Sequence, residues 1–104
     1  MTKADVNPGI CGFATTVTCE VDDAYQATIV IESQCAHVAK LSQELSEVSV
    51  LGELRVPINE TAVYRAAAIC RLHAACPVPS AILKAIEVSA GLALPADVHV
   101  SIET

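Results

Sequence analysis

Three cysteines lie where predicted secondary-structure elements meet, and they are the residues of this chain best suited to chemistry. Cys11 lies in the segment GICGF, Cys35 follows a Ser-Gln pair, and Cys76 is followed by Pro-Val-Pro. Because turn-forming or cap-forming residues flank each of them, we expect each sulfur near a loop and not in the middle of a core. Three thiols gathered by one fold can hold a soft metal ion or an iron–sulfur cluster.

Two of these cysteines are predicted to lie at helix starts. Cys35 falls in the first turn of a first helix, and Cys76 lies just before a third helix. Free N–H groups and the helix dipole favour thiolate at such positions, so both suit ligation or nucleophilic chemistry. If Cys11, Cys35 and Cys76 share a tetrahedral ion, their sulfurs should lie within about 4 Å of one another. The alternative is that all three are small buried hydrophobic residues, because free cysteine is among the most buried residue types.

The fourth ligand is open between two histidines. His73 lies three residues before the third cysteine, and we take it as the candidate ligand. His37 lies two residues after the second cysteine, and its alternative interpretation is a solvent-facing helix residue. Cys19 and Cys70 are predicted to be core residues.

The elements that must position these side chains begin with a hairpin. Residues 11–21 alternate in polarity, Asp22-Asp23 supplies a turn, and residues 25–31 alternate again. A helix capped by Ser33 follows, with a buried stripe of residues at three- and four-residue steps. That stripe consists of Val38, Leu41, Leu45 and Val48.

Two more helices and a last strand complete the predicted architecture. Asn59 is a plausible cap for a second helix that runs to His73, after a connection in which Glu53 is expected to be a solvated charge. Pro77 fits the start of a third helix, because proline is tolerated in a first turn. Residues 98–104 alternate as a final strand. The predicted order is β-β-α-α-α-β, an α+β fold in which three helices pack on one face of a small antiparallel sheet, namely the hairpin plus the C-terminal strand.

Composition limits the function classes. The chain has 104 residues, of which 53% are hydrophobic and 17% charged, so we expect a single ordered domain spanning residues 1–104. Its net charge of −6 and few aromatic residues argue against nucleic acid and anionic membrane surfaces as partners. A small chain this apolar often covers part of its surface by association, so a homo-oligomer is one expectation.

The redox setting also bears on the cysteines. The first residues lack the apolar core of a signal peptide, and no apolar run approaches the roughly 20 residues needed to span a bilayer. A cytoplasmic location is therefore expected, where thiols stay reduced. Five cysteines, an odd number, also fit a disulfide framework poorly.

The cysteine pattern resembles a known protein class. A Cys-Gly strand, a second strand leading into a cysteine-bearing helix start, and a late cysteine before an alanine-rich helix resemble the IscU/NifU-type scaffold proteins of iron–sulfur cluster assembly. The resemblance implies that Cys11, Cys35 and Cys76 converge on a cluster or a zinc ion, and that a protein partner in iron–sulfur or sulfur metabolism exists. The chain carries Phe13 and Ala75 where those scaffolds have aspartate and histidine. The whole chain is also similar to an uncharacterised family of small proteins from anaerobic microbes. Residues 75–85 through 91–95 carry this similarity.

Three functions follow as hypotheses. The first is a small metal or iron–sulfur binding module whose ligands are Cys11, Cys35, Cys76 and His73. The second is a thiol-based sulfur carrier with a persulfide on Cys35 or Cys76. The third is a structural or interaction domain in which the cysteines only pack. No other catalytic motif is present in the sequence, and we expect a non-enzymatic role.

Overall fold

A four-stranded antiparallel sheet forms the centre of the computed structural model, which describes residues 1–104. Its strands lie side by side in chain order, β1-β2-β3-β4. They are β1 (Thr2–Val6), β2 (Thr15–Val21), β3 (Gln26–Ser33) and β4 (Glu47–Ser49). The predicted hairpin, β2 with β3, is therefore confirmed.

Four helices and a 3₁₀ turn complete the fold. They are α1 (Ala36–Glu44), α2 (Val50–Leu54), the 3₁₀ turn (Ile58–Glu60), α3 (Ala62–Ile69) and α4 (Val78–Ser89). The α+β class is confirmed, although the chain order is β-β-β-α-β-α-α-α and not the expected β-β-α-α-α-β. None of these helices combines the length and the apolar content needed to cross a membrane.

The register of the hairpin explains which sheet face is buried. Val17 lies opposite Ile31 and Cys19 opposite Ile29, and all four side chains point to the same, buried face. Helix α1 packs against β3, and α4 packs against β1 and β2, so the helices cover this face. Cys19 is only 1% exposed, as expected for a core residue.

The turn between β2 and β3 is held by one carboxylate. Asp22 Oδ1 accepts hydrogen bonds from the N–H groups of Ala24 and Gln26, each at 2.9 Å. Tyr25 adopts a left-handed backbone with φ 59°. The sequence pair Asp22-Asp23 correctly located this turn because aspartate readily hydrogen-bonds to the backbone two residues on.

The start of the sheet differs from the sequence prediction. Strand β1 was not predicted, and β2 begins at Thr15 and not at Cys11. The reason lies in the connecting loop, residues 7–14, where Gly9 and Gly12 have φ values of 91° and 70°. Positive φ ends an extended strand, so the loop places Cys11 outside the sheet.

The predicted C-terminal strand is wrong. Residues 94–104 form no helix or strand, and all of residues 91–104 are exposed. The alternation of apolar residues is present, but a strand forms only when a sheet edge pairs with it. The edge strands of the sheet are β1 and β4, and the C-terminal segment pairs with neither of them.

Helix α3 is shorter than predicted. Its N-cap is Thr61 and not Asn59, and the Thr61 hydroxyl accepts a hydrogen bond from the Tyr64 N–H at 3.1 Å. The helix ends at Ile69 because Arg71 takes a left-handed conformation, φ 60°, well before the predicted end at His73.

The residues before α3 also differ from expectation. Glu53 is buried at 5% exposure and not solvated. Its two carboxylate oxygens accept hydrogen bonds from the N–H groups of Ala62 and Val63, both at 2.8 Å. These N–H groups belong to the first turn of α3, where backbone donors lack partners within the helix. Glu53 is thus an ion-dipole cap that reaches α3 from α2.

Helix α4 follows the sequence prediction closely. It starts after Pro77 and ends before Gly91, whose φ is 76°. The Gly91 N–H donates to the Val88 carbonyl and the Leu92 N–H to the Glu87 carbonyl, at 3.0 and 2.9 Å. This pair of bonds is the Schellman motif, which a C-terminal glycine makes accessible.

Candidate functional site

All the sequence-predicted site residues line one pocket, which we call the cysteine pocket. It has a volume of about 200 Å³, and its walls include Cys11, Cys35, Cys76, His37 and His73. The remaining wall residues are Pro8, Phe13, Val38, Arg71, Leu72 and Val78. Three cysteines that are distant in sequence therefore meet at a single surface site.

Cys11 reaches the pocket from the loop that joins β1 to β2. The loop is tightened by a hydrogen bond from the Gly12 N–H to the Gly9 carbonyl at 3.0 Å. Cys11 itself is exposed. Because Cys35 and Cys76 are only partly exposed, Cys11 is the most accessible cysteine of the three.

Cys35 is fixed between a strand and a helix. It is the N-cap residue of α1, where the sequence had suggested Ser33. Its N–H donates to the Ser33 hydroxyl at 3.1 Å, and its carbonyl accepts from the Ala39 N–H at 2.8 Å. The Ser33 hydroxyl also lies 2.7 Å from that of Thr15, so the cap is tied to the neighbouring strand. Cys35 is therefore a well-anchored, half-buried thiol.

Cys76 lies in the connection between α3 and α4. Its N–H donates to the His73 carbonyl at 3.0 Å, which makes a tight turn before α4. Burial raises the pKa of the Cys76 thiol, a hydrogen bond from the Val78 backbone opposes the shift, and the charges of Cys35 and Cys11 add to it. The expectation that the helix start would favour thiolate at Cys76 is thus wrong, because loss of hydration outweighs the helix contribution.

His37 is held in a defined tautomer. Its Nδ1 lies 3.1 Å from the backbone carbonyl oxygen of Cys70. A carbonyl can only accept a hydrogen bond, so Nδ1 carries a proton, and in the neutral ring Nε2 is the nitrogen with a free lone pair. A histidine that ligates a metal is commonly oriented by such a bond to its other nitrogen. His37 is exposed, as the solvent-facing interpretation expects, and the sequence could not show this hydrogen bond because its partner at the end of α3 is far along the chain.

The remaining histidine and cysteines differ in their surroundings. His73 is exposed in the connection between α3 and α4 and makes no side-chain hydrogen bond. Cys19 and Cys70 are buried at 1% and 4% exposure and do not line the cysteine pocket. The prediction that these two cysteines belong to the core is confirmed.

The cysteine pocket does not have the spacing of a finished metal site. No group of three or more His, Cys, Asp or Glu side chains is arranged so that it could hold a metal ion. The close sulfur spacing of a tetrahedral site is therefore not formed. What the pocket offers is a set of soft donors on separate supports, which must draw together before they can share an ion.

The chain belongs to a family of unknown function, DUF6951, whose match covers residues 2–102. No curated protein matches the sequence, and no solved structure matches it.

Proposed function

We propose that this DUF6951 protein binds a soft metal ion or an iron–sulfur cluster through Cys11, Cys35, Cys76 and one histidine. The supporting observation is the convergence of these three cysteines on one pocket. The two other cysteines pack in the core, so the chain separates buried thiols from accessible ones. Thiolate and imidazole ligands together suit zinc and iron–sulfur clusters.

Electrostatics supports a cation at this position. Burial is the largest cause of the raised pKa of Cys76, and the charges of Cys35 and Cys11 add to it, so both lie close enough to Cys76 to oppose its ionisation. A bound cation removes this opposition, because it stabilises all the thiolates at once. Metal binding would therefore release protons from the pocket.

The loop of residues 7–14 is the part that has to move. Cys35 is anchored by its strand and helix, and Cys76 is held by its turn before α4. Cys11 is exposed on a loop with two positive-φ glycines, so it can approach the other two thiols at the lowest cost. We propose that ligation closes this loop over the pocket.

The fourth ligand is a histidine from the same pocket. His73 has the position that the sequence favours, three residues before Cys76. His37 has the fixed tautomer, with Nε2 free to bind. The resemblance of the cysteine order to iron–sulfur scaffold proteins extends the proposal to a cytoplasmic setting and a protein partner that delivers or receives iron or sulfur.

Metal analysis of protein purified without oxygen tests this function. Zinc, iron and acid-labile sulfide are measured in the parent protein and in Cys76→Ser, with Cys19→Ser as the control. Cys76→Ser should lose most of the bound metal, because a neutral hydroxyl is a poor ligand for a soft metal. Cys19→Ser should keep its metal and lose about 1–3 kcal/mol of stability through a buried unpaired hydroxyl. A metal-free parent that also fails to bind added zinc or iron, or equal metal loss in both variants, rejects the proposal.

A sulfur carrier is the second candidate, and the position of Cys35 favours it. Cys35 is the N-cap residue of α1, and its half-buried thiol lines the cysteine pocket. The Cys35 thiolate would attack the terminal sulfur of a donor protein's persulfide. A new S–S bond forms, the donor S–S bond breaks, and the donor leaves as a thiolate. Mass spectrometry after incubation with a persulfide donor should show one added sulfur on Cys35 or Cys76. If neither metal nor sulfur is bound, the chain is an interaction domain.

A further inference from the structure

The C-terminal segment of this chain has the pattern of a strand but no partner. Val98, Val100 and Ile102 alternate with polar residues, and they are 63%, 76% and 87% exposed. β-branched residues at every second position are typical of a half-buried strand. Since none of residues 91–104 is buried, the chain does not cover this apolar stripe with its own core.

A matching strand edge is open at β1. Strand β1 is the first of the four strands and pairs with β2 alone, so the backbone groups along its outer edge have no strand partner. Its inward residues are Thr2, Ala4 and Val6, of which Val6 is buried and Ala4 packs against the core. An added strand with apolar residues on this face would extend the core sideways.

We propose that residues 98–102 of one molecule add as an antiparallel strand to β1 of a second copy of the chain. The exchange is reciprocal, so two C-terminal segments occupy two β1 edges in a symmetric dimer. The segment is unpaired and the outer edge of β1 has no strand partner, so each molecule has both halves of this interface.

The lengths and the alternation of the two segments agree. Strand β1 has five residues, and the segment supplies five from Val98 to Ile102. Antiparallel pairing with Ile102 opposite Thr2 places all three apolar residues on the core side. A shift by one residue would turn them to solvent, so the register is specified by the pattern.

The polar residues agree with the same register. Asp5 lies opposite His99, so its carboxylate can accept a hydrogen bond from the imidazole. Lys3 lies opposite Ser101 and diagonal to Glu103, where cross-strand charges attract. The other open edge, β4, has three residues and contains Glu47, so it offers a shorter and acidic partner. Strand β1 is the better acceptor.

Molecular mass in solution tests the dimer with the full-length chain. Light scattering across a concentration series should give about twice the protomer mass of 10.8 kDa for the parent protein. Val100→Asp should weaken the dimer by roughly tenfold or more. Ile69→Asp is the matched control, since Ile69 on α3 is 72% exposed against 76% for Val100, and this variant should remain dimeric.

Amide hydrogen exchange identifies the segment that pairs. Residues 98–102 should be protected in the parent at high concentration and should lose protection on dilution and in Val100→Asp. A parent that is monomeric at all concentrations overturns the proposal. Equal weakening of the dimer by Ile69→Asp also overturns it. Protection of residues 98–102 in a monomer does so as well, because it would mean that the segment pairs within one chain.

Discussion

Removing the Glu53 carboxylate should be among the most costly single changes to this fold. Glu53 is 5% exposed, and both of its oxygens accept backbone N–H bonds of 2.8 Å from the first turn of α3. A hydrogen bond to a charged group contributes about 1.5–3 kcal/mol, so the two bonds together contribute about 3–6 kcal/mol. Domains of this size have a total unfolding free energy of about 5–15 kcal/mol. Glu53→Ala should therefore remove a large share of the stability.

Urea unfolding of Glu53→Ala measures this loss directly. The control is Glu60→Ala, because Glu60 is an exposed carboxylate in the 3₁₀ turn just before α3. A surface substitution of this kind should change the unfolding free energy by less than about 0.5 kcal/mol. If Glu53→Ala costs no more than Glu60→Ala, the carboxylate is not the cap of α3. Glu53 is also linked to the cysteine pocket, because the end of α3 supplies the Cys70 carbonyl that orients His37. Metal affinity should therefore fall in Glu53→Ala even where the protein remains folded.

Three more predictions concern the thiols and histidines. His37→Ala should weaken zinc binding by more than about tenfold, because the hydrogen bond at Nδ1 orients Nε2 toward a ligand position. His73→Ala should have a smaller effect. If competition titrations show the opposite order, the fourth ligand is His73. Under non-denaturing conditions, peptide mapping after iodoacetamide treatment should find Cys11 alkylated first and Cys19 and Cys70 last; early labelling of the buried pair would contradict the packing. Burial raises the pKa of Cys19 above its ordinary value of 9.0, so the folded state holds the thiol proton more tightly than the unfolded state. The resulting stabilisation is present below pH 9.0 and is lost as pH rises through the folded-state pKa. In urea unfolding, Cys19→Ala should show a smaller alkaline loss of stability than the parent.

The parts of the fold that sequence predicted well are those with strong local signals. The hairpin has alternating residues and an aspartate turn, and α4 has a proline near its start and Gly91 after its end. The failures have a common physical cause, which is that the deciding partner lies elsewhere in the chain. The C-terminal segment has strand propensity without a sheet partner, and Glu53 is buried because it meets α3. Neither outcome can be predicted from the residues that are adjacent in sequence.

The shared position of the three pocket cysteines could likewise be predicted only in part from local sequence. The register sets Val6, Thr15 and Ser33 in one row, so the loop after β1 and the helix start after β3 must share one end of the sheet. The presence of Cys11 and Cys35 at the same end of the sheet could be derived from the hairpin. The place of Cys76 could not, because it depends on the direction in which α4 crosses the sheet.

A hydrogen bond at the C-terminal end of α4 shows the direction in which this helix crosses the sheet. The Ser89 hydroxyl donates to the Cys19 carbonyl at 3.1 Å, and Cys19 pairs with Thr2, away from the row that contains Thr15. The start of α4, and Cys76 before it, therefore lies at the end of the sheet that carries the other two cysteines. Packing alone does not require this arrangement, since buried cysteines such as Cys19 fill the core without a common pocket. The gathering of Cys11, Cys35 and Cys76 in one pocket, with Cys19 and Cys70 outside its lining, is the observation on which the proposed shared ligation rests.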